Sequence, residues 1–403
     1  MSDKDDVVIV SGVRTPFSKF GGALKEFHST DLGVIVIRES LKRAGLRGED
    51  VDEVYYGMCD QAEAALFDNV NARQAILRAG LPNHLVSLTI DRACCSSLCA
   101  VQLGRRAILL NEADTCMAVG AENMSNTPLL INGHRWGAGM KPLLIQDYLN
   151  PITYREYTPL GKDAGEIALE HGISREEQDA WALGSHQKWA EANQAGLFND
   201  ELVGVELPSK KGASVLFSKD ELPRPETTME ALAKLKTIYG SPTVTAGNAP
   251  GLDAGATAVV IMRRAKAEKL GVKPLATVVG VASGAGEPRR MAELPAKVIG
   301  KALERVHLTI DDMKIVEINE AFAAVTLVST KMLAGNDETK WRELLKKTNP
   351  NGGAIAIGHP VGASGGRILM TMMYELKRRG GGYGVCGICG GLAQGDAIII
   401  RVA

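Results

Sequence analysis

Leu41-Lys42-Arg43-Ala44-Gly45-Leu46 recurs in pattern as Leu303-Glu304-Arg305-Val306-His307-Leu308, and an acidic pair follows each copy, Glu49-Asp50 and Asp311-Asp312. Working outward, the strand-like run at Val8-Ile9 matches Val278-Val279. Cys116-Met117-Ala118-Val119-Gly120 matches Cys386-Gly387-Ile388-Cys389-Gly390. The same offset sets Cys94 on Ser364, each at the start of a helical segment. One such match means little, but matches in shared order indicate a duplicated α/β unit. The expected halves are residues 1–270 and 271–403.

Within the halves, strands alternate with helices. Asp6 to Gly12 is a buried strand, and Asp31 is the expected N-cap of a helix that stops near Gly45. Val51 to Gly57 is a second strand, and a helix is expected over 69–79. This alternation predicts a mainly parallel sheet covered on both faces. From about residue 123 to 242 strands become few and Gly, Pro, Trp and Tyr become common. Two amphipathic segments, 160–171 and 175–195, stand out there, as in an inserted loop domain that builds a binding pocket.

A chain of 403 residues exceeds one ordinary core, in keeping with two halves. Its net charge of −1 gives no basic surface for nucleic acid or an anionic membrane. No apolar run reaches about 18 residues, and the acidic start Met1-Ser2-Asp3-Lys4-Asp5-Asp6 has no targeting pattern, so a cytoplasmic location is expected. In that setting the seven cysteines are expected as thiols.

Asp91-Arg92-Ala93-Cys94-Cys95-Ser96-Ser97-Leu98-Cys99-Ala100-Val101 follows a short β-like run and opens a helix. A cysteine at such a junction meets free N–H groups and the positive end of the helix dipole, which favour a thiolate. The dipole contributes about 0.3–2 kcal/mol, at most roughly 1.5 pKa units, so a nucleophilic Cys94 also needs a base. His359 is the candidate, in Asn351-Gly352-Gly353-Ala354-Ile355-Ala356-Ile357-Gly358-His359-Pro360-Val361-Gly362-Ala363-Ser364-Gly365-Gly366. A phosphate-cradling loop with an incidental histidine competes with that reading. Cys389 ends an apolar strand, at the edge where open α/β sheets place their sites. Four thiolates from Cys95, Cys99, Cys386 and Cys389 would instead read as a zinc site. Cys59, Cys99, Cys116 and Cys386 read as small core residues. Asn319, before Glu320-Ala321-Phe322-Ala323, reads by itself as a helix N-cap.

Together these stretches resemble the thiolase family over nearly the whole chain. The Cys94 segment is similar to the family's Asn-x-x-Cys-x-Ser-Gly-x-x-Ala, beginning here with Asp91. Asn319-Glu320-Ala321-Phe322, Gly358-His359-Pro360 and the Cys-x-Gly at 389–391 match further motifs. The resemblance implies a five-layer α/β/α/β/α fold of two duplicated halves plus a loop domain, assembled as dimers or tetramers. It implies CoA-dependent cleavage of a β-ketoacyl-CoA through an acyl-Cys94 intermediate, by ping-pong kinetics. By resemblance His359 is the base, and Cys389 protonates the leaving enolate and then deprotonates CoA. Asn319, through a water, and His359 would serve one oxyanion; the N–H groups of Cys94 and Gly391 would serve the other. No cofactor is implied, CoA being a co-substrate. Arg224-Pro225-Glu226-Thr227-Thr228 and Thr243-Val244-Thr245-Ala246-Gly247-Asn248-Ala249 resemble CoA-binding segments, which makes Arg224, Ala246, Ala249, Pro250, Leu160 and Phe322 candidates for CoA or substrate contact.

Departures from the pattern bear on substrate. Cys95 and Ser97 stand where glycines are usual, Pro159-Leu160-Gly161 stands for the family's His-Met-Gly so that the histidine of short-chain acetoacetyl-CoA enzymes is absent, and Pro250 replaces a serine. A bulky or unusual acyl group is therefore expected. The benzoylsuccinyl-CoA thiolase of anaerobic toluene breakdown is one such case, and it would bring a small zinc-binding partner subunit. The alternatives are an acetoacetyl-CoA thiolase and a non-catalytic thiolase-fold lipid- or CoA-binding protein. A ketoacyl synthase relative is disfavoured by Cys389 with Gly391.

Overall fold

The computed structural model describes residues 6–64, 66–149, 154–208 and 213–403, so the acidic start of the chain lies largely outside the described residues. The first half runs β1 (Val7–Arg14), α1 (Ser29–Ala44), β2 (Glu53–Gly57), α2 (Asn71–Ala79), β3 (Val86–Ile90), α3 (Ser96–Leu109) and β4 (Thr115–Asn123). The loop region carries α4 (Leu160–Glu170) and α5 (Arg175–Gln194), and β5 (Asp253–Arg263) closes the half. The second half runs β6 (Ala276–Ala285), α6 (Leu294–Arg305), β7 (Met313–Ile318), α7 (Ala323–Leu333), α8 (Ser364–Arg378), β8 (Gly382–Gly390) and β9 (Gln394–Val402).

The duplication is visible in hydrogen bonds. Gly45 ends α1 with a left-handed φ of 67°, and Leu46 N–H donates to Leu41 O at 3.0 Å. At the matching place His307 has φ 55°, and Leu308 N–H donates to Leu303 O at 3.0 Å. Glycine takes this conformation without steric cost; the second copy keeps the same turn with histidine. A 3₁₀ turn follows in each half, at Gly48–Asp50 and Ile310–Asp312.

Strand order repeats as well. Among the described residues one sheet runs β7-β8-β9-β6-β1-β5-β4-β2-β3, so from the centre outward each half reads the same way. Among the described residues the two half-sheets pair through Val8↔Thr277 and Ile9↔Ala276. The sheet is mixed rather than mainly parallel. Parallel pairing is confined to β7·β8, β4·β2 and β2·β3, and the five central pairs are antiparallel. Alternating strands and helices did not reveal this, because β9 follows β8 in a direct hairpin and β5 and β6 pair antiparallel with strands distant in sequence.

Five layers follow from the packing. Helices α3 and α8 lie against each other between the half-sheets, in a core containing Leu98, Val101, Leu369 and Met373. α1 covers the outer face of the first half, and α6 with α7 that of the second. Asp31 is not the N-cap of α1: His28 is, and Asp31 sits three positions inside, accepting the His28 N–H at 3.1 Å. No helix of the described residues is long and apolar enough to cross a membrane.

Candidate active site

The two inner helices point their N-termini toward one place. Gly366 N–H donates to Ser97 Oγ at 2.9 Å, and a Cβ on Gly365 would come within 2.6 Å of Leu98 N. Glycines at 365 and 366 let the helix starts approach this closely, which brings the residues just before them, Cys94 and His359, into contact.

Cys94 sits in a tight bend. Ala93 has φ 49°, a left-handed conformation that costs a non-glycine residue about 1–2 kcal/mol. Its N–H donates to Asp91 Oδ1 at 2.9 Å, and its carbonyl accepts from Ser96 Oγ at 2.7 Å and Cys59 Sγ at 2.8 Å. Arg92 straps the bend to the β8–β9 hairpin, donating to Asp396 Oδ2 at 3.0 Å and Gln394 Oε1 at 2.9 Å.

His359 follows Gly358, whose φ of 114° only glycine adopts readily. Its backbone N–H donates to buried Asp253 Oδ2 at 2.5 Å; burial pushes that carboxyl up to about 7. The imidazole Nε2 lies 3.3 Å from Cys94 Sγ. Its Nδ1 lies 2.5 Å from Ser364 Oγ, and that hydroxyl donates to Pro360 O at 2.9 Å. A serine hydroxyl has one proton to give. With that proton on Pro360 O, Ser364 accepts from Nδ1–H, and the Nε2 lone pair faces the Cys94 sulfur. Ser364 thus fixes the tautomer that can take the thiol proton.

Burial, and then the charge of Arg367, lower His359 to about 3, so the imidazole is neutral. The Cys94 thiol moves opposite to the sequence expectation. Burial pushes it up, and Cys389, Glu122 and Asp91 add to the rise if charged. A dipole effect of about 1.5 pKa units at most cannot outweigh desolvation among acidic neighbours. The resting pair is therefore thiol and neutral imidazole.

Asn319 does not cap a helix: α7 starts at Ala323 with Phe322 in the capping place. Its Nδ2 instead lies 3.5 Å from His359 Nε2, and its buried Oδ1 has no hydrogen-bond partner among the described residues. Glu320 beside it accepts from Trp181 Nε1, Ser185 Oγ, Asn349 Nδ2 and Ile355 N at 2.8–3.1 Å, tying α5 to the Gly-His-Pro segment. Its carboxylate occupies the space that a side chain on Gly353 would need. That glycine-rich run packs around a protein carboxylate, which removes the phosphate-cradle reading.

Cys389 is fully buried on β8 opposite Gly395, and burial pushes it up to about 12. Its charge would be the largest electrostatic influence on the Cys94 thiol after desolvation. Among the described residues no group of three or more His, Cys, Asp or Glu is arranged to hold a metal.

Two cavities flank Leu252. One, of about 340 Å³, is lined by Cys94, Gly391, Leu160, Cys59, Asp60 and Tyr154 among others. The other, about 500 Å³, is lined by Arg224, Ala246, Ala249, His186 and Lys19 among others. Pro250 does not line the second cavity. Phe322 packs beside Gly161 against the outer core of the second half. The sequence reading missed several residues. Cys59, read as core, lines the first cavity, and Cys99 is only partly buried. Ser364 was legible only as the repeat partner of Cys94. Glu122 accepts from the N–H groups of Cys59, Asp60 and Gly362 at 2.9–3.0 Å, and nothing in the sequence marked it.

The family model for the thiolase N-terminal domain matches residues 7–265, and that for the thiolase C-terminal domain matches 272–402. An acetyl-CoA acetyltransferase of Syntrophomonas wolfei is 42% identical, covering 98% of this chain and 99% of its own length. A beta-ketoadipyl-CoA thiolase of Pseudomonas aeruginosa is 38% identical over the same shares. The crystal structure of human mitochondrial 3-ketoacyl-CoA thiolase in complex with CoA superposes with a TM-score of 0.92 at 38% identity, covering 100% of this chain and 99% of that one. With both halves matched by sequence and the whole fold by structure, this chain belongs to the thiolase family.

Proposed function

We propose that the protein catalyses CoA-dependent thiolysis of a β-ketoacyl-CoA by a ping-pong mechanism. Cys94 Sγ attacks the β-carbonyl carbon as its proton passes to His359 Nε2. The new Nε2–H and Asn319, through a water, then face the developing oxyanion. Collapse breaks the Cα–Cβ bond, and the Cys389 thiol gives its proton to the departing enolate carbon, releasing acetyl-CoA. The Cys389 thiolate takes the proton of incoming CoA, whose sulfur attacks the acyl-Cys94 thioester. The second oxyanion faces the N–H groups of Cys94 and Gly391. The Cys94 thiolate leaves and recovers its proton from His359, and the shortened acyl-CoA departs.

The observation that carries this reading is the 3.3 Å approach of a neutral, tautomer-locked imidazole to the Cys94 sulfur. The cavity containing Arg224, Ala246 and Ala249 is the proposed CoA groove, and the one beside Cys94 the acyl pocket. Pro159-Leu160-Gly161, which lacks the histidine of short-chain enzymes, favours an acyl group larger than acetoacetyl, as in catabolic, including aromatic, degradation. Cleavage of acetoacetyl-CoA is the second reading, favoured by the names of the acetyltransferase relatives. A panel of β-ketoacyl-CoA thioesters of increasing size, followed for CoA-dependent loss, decides between them. Mass spectrometry of acyl-Cys94 tests the mechanism, and absence of any acyl-enzyme across the panel overturns it.

The reading includes a cytoplasmic enzyme assembled from copies of itself. Edge strand β3 exposes Val86 and Leu88, and the region before α4 exposes Trp136, Met140, Leu143, Leu144 and Ile145. Apolar surface of this extent suits association with a second copy, and light scattering of the purified chain reads the dimer or tetramer directly.

A further inference from the structure

The acyl pocket carries a charge pattern that bears on which acyl groups enter. Two of its lining residues, Asp60 and Asp91, are carboxylic acids, and none of those described is Lys, Arg or His. Asp60 is only 5% exposed. One carboxylate oxygen meets the Thr127 hydroxyl, and the other, buried, has no hydrogen-bond partner among the described residues. Behind it lies buried Glu122, which takes the Asp60 N–H at 3.0 Å.

The groups around the pocket feel this field consistently. Tyr148 is raised by burial and then by Asp60, Asp91 and Glu122, and Tyr154 by burial and then by Cys94, Cys59 and Asp91. Cys59, on the same wall, is raised by burial and by Glu122. None of these three side chains is shifted by a cation. Arg92, next to Asp91, is turned away onto Asp396 and Gln394, and Arg155, next to Tyr154, is exposed to solvent with Glu156 4.0 Å away.

We propose that the pocket selects β-ketoacyl-CoA thioesters whose acyl group is uncharged and rejects those ending in a second carboxylate, with Asp60 and Asp91 as the specificity-determining residues. This deepens the thiolase reading and rests on it. A second carboxylate would enter a partly desolvated site beside like charges with no cation to pair it, an arrangement that is strongly unfavourable. An uncharged chain meets Met124, Leu149, Leu160 and the tyrosine rings without that cost. The chain thereby differs from its relatives named for β-ketoadipyl-CoA, and benzoylsuccinyl-CoA, which carries a free carboxylate, falls outside its expected substrates.

The test uses 3-oxohexanoyl-CoA and 3-oxoadipyl-CoA, whose acyl chains have the same number of carbons and differ in ending as methyl or carboxylate. The wild-type enzyme is expected to favour 3-oxohexanoyl-CoA in kcat/KM by about tenfold or more, the scale of a like-charge clash. Asp60→Asn keeps the shape and should narrow that ratio by about fivefold, and the more exposed Asp91→Asn by about twofold. Equal use of the two thioesters, or preference for 3-oxoadipyl-CoA, overturns the proposal, as does a ratio unmoved in both variants. Should Asp60→Asn not fold, the wild-type ratio and Asp91→Asn still decide it. If neither thioester acylates Cys94, the thiolase reading itself fails, an outcome distinct from cleavage without discrimination.

Discussion

The two halves share one architecture, yet at the same point of the repeat one has Cys94 and the other Ser364. In the first half this position is the proposed nucleophile, just ahead of α3. In the second it is the first residue of α8, and its hydroxyl holds the imidazole 2.5 Å away. Position 389 shows the reverse, with a thiol in the second half where the first has buried Val119. Duplication supplied two equivalent helix starts meeting at a central layer, and divergence assigned them complementary tasks. In the proposed mechanism one repeat carries the attacking sulfur, and the other carries the groups that move and hold protons.

That division can be broken residue by residue. Removing the sulfur should have the largest effect: Cys94→Ala is expected to lose about 10⁴-fold or more in kcat, as for removal of a nucleophile in other covalent enzymes, with no acyl-enzyme by mass spectrometry. Cys389→Ala removes the second-half acid and should cost about 10²–10⁴-fold in kcat. It should still acylate Cys94 in part, so trapped acyl-enzyme without turnover separates the two thiols. An equal loss of acylation in both variants would break the division of labour.

Ser364→Ala sharpens the comparison, because it strips the second-half counterpart of Cys94 of its only polar group. His359 Nδ1–H then loses its acceptor in a buried site, at a cost of about 1–3 kcal/mol, or roughly 5- to 150-fold in kcat. A shifted pH profile, with Ser364→Thr restoring part of the rate, distinguishes lost positioning from a general loss of packing.

The same histidine makes an equilibrium prediction. Its pKa is about 3 in the folded chain against an ordinary value near 6.5. Between those values the unfolded chain binds a proton that the folded one refuses, so its contribution to stability is present above pH 6.5 and lost as pH falls toward 3. Denaturation midpoints should therefore fall less steeply from pH 7 to 5 in His359→Gln than in the wild type. The smallest effect is expected outside both repeats. Arg224→Ala should raise the KM for CoA by about two- to fivefold, the scale of an exposed ionic contact, with kcat unchanged.

Much of this arrangement was legible in the residues. The Leu41 and Leu303 repeats, the Cys116 and Cys386 strands and the Gly-His-Pro run located the halves, because local pattern fixes strand and helix faces. The helix expected over 160–171 spans Leu160–Glu170, and that over 175–195 spans Arg175–Gln194. Pairing direction was not legible, since antiparallel joins such as β1·β6 depend on distant strands rather than on either strand's own pattern. The Cys94 thiol was misjudged for a related reason. The helix dipole is written locally, whereas the burial that desolvates the thiol comes from chain remote in sequence.

The sequence by itself determined that the chain is duplicated, where its sulfur and imidazole lie along it, and the family to which their motifs belong. It took the folded chain to bring Ser364 against His359, to set Asp60 on the cavity beside Cys94 with an oxygen that has no partner among the described residues, and to bury the Cys94 thiol so that its pKa rises. Periodicity and motif are properties of neighbours along the chain. Tautomer, desolvation and field belong to groups that meet only after two half-sheets close on a shared layer of helices.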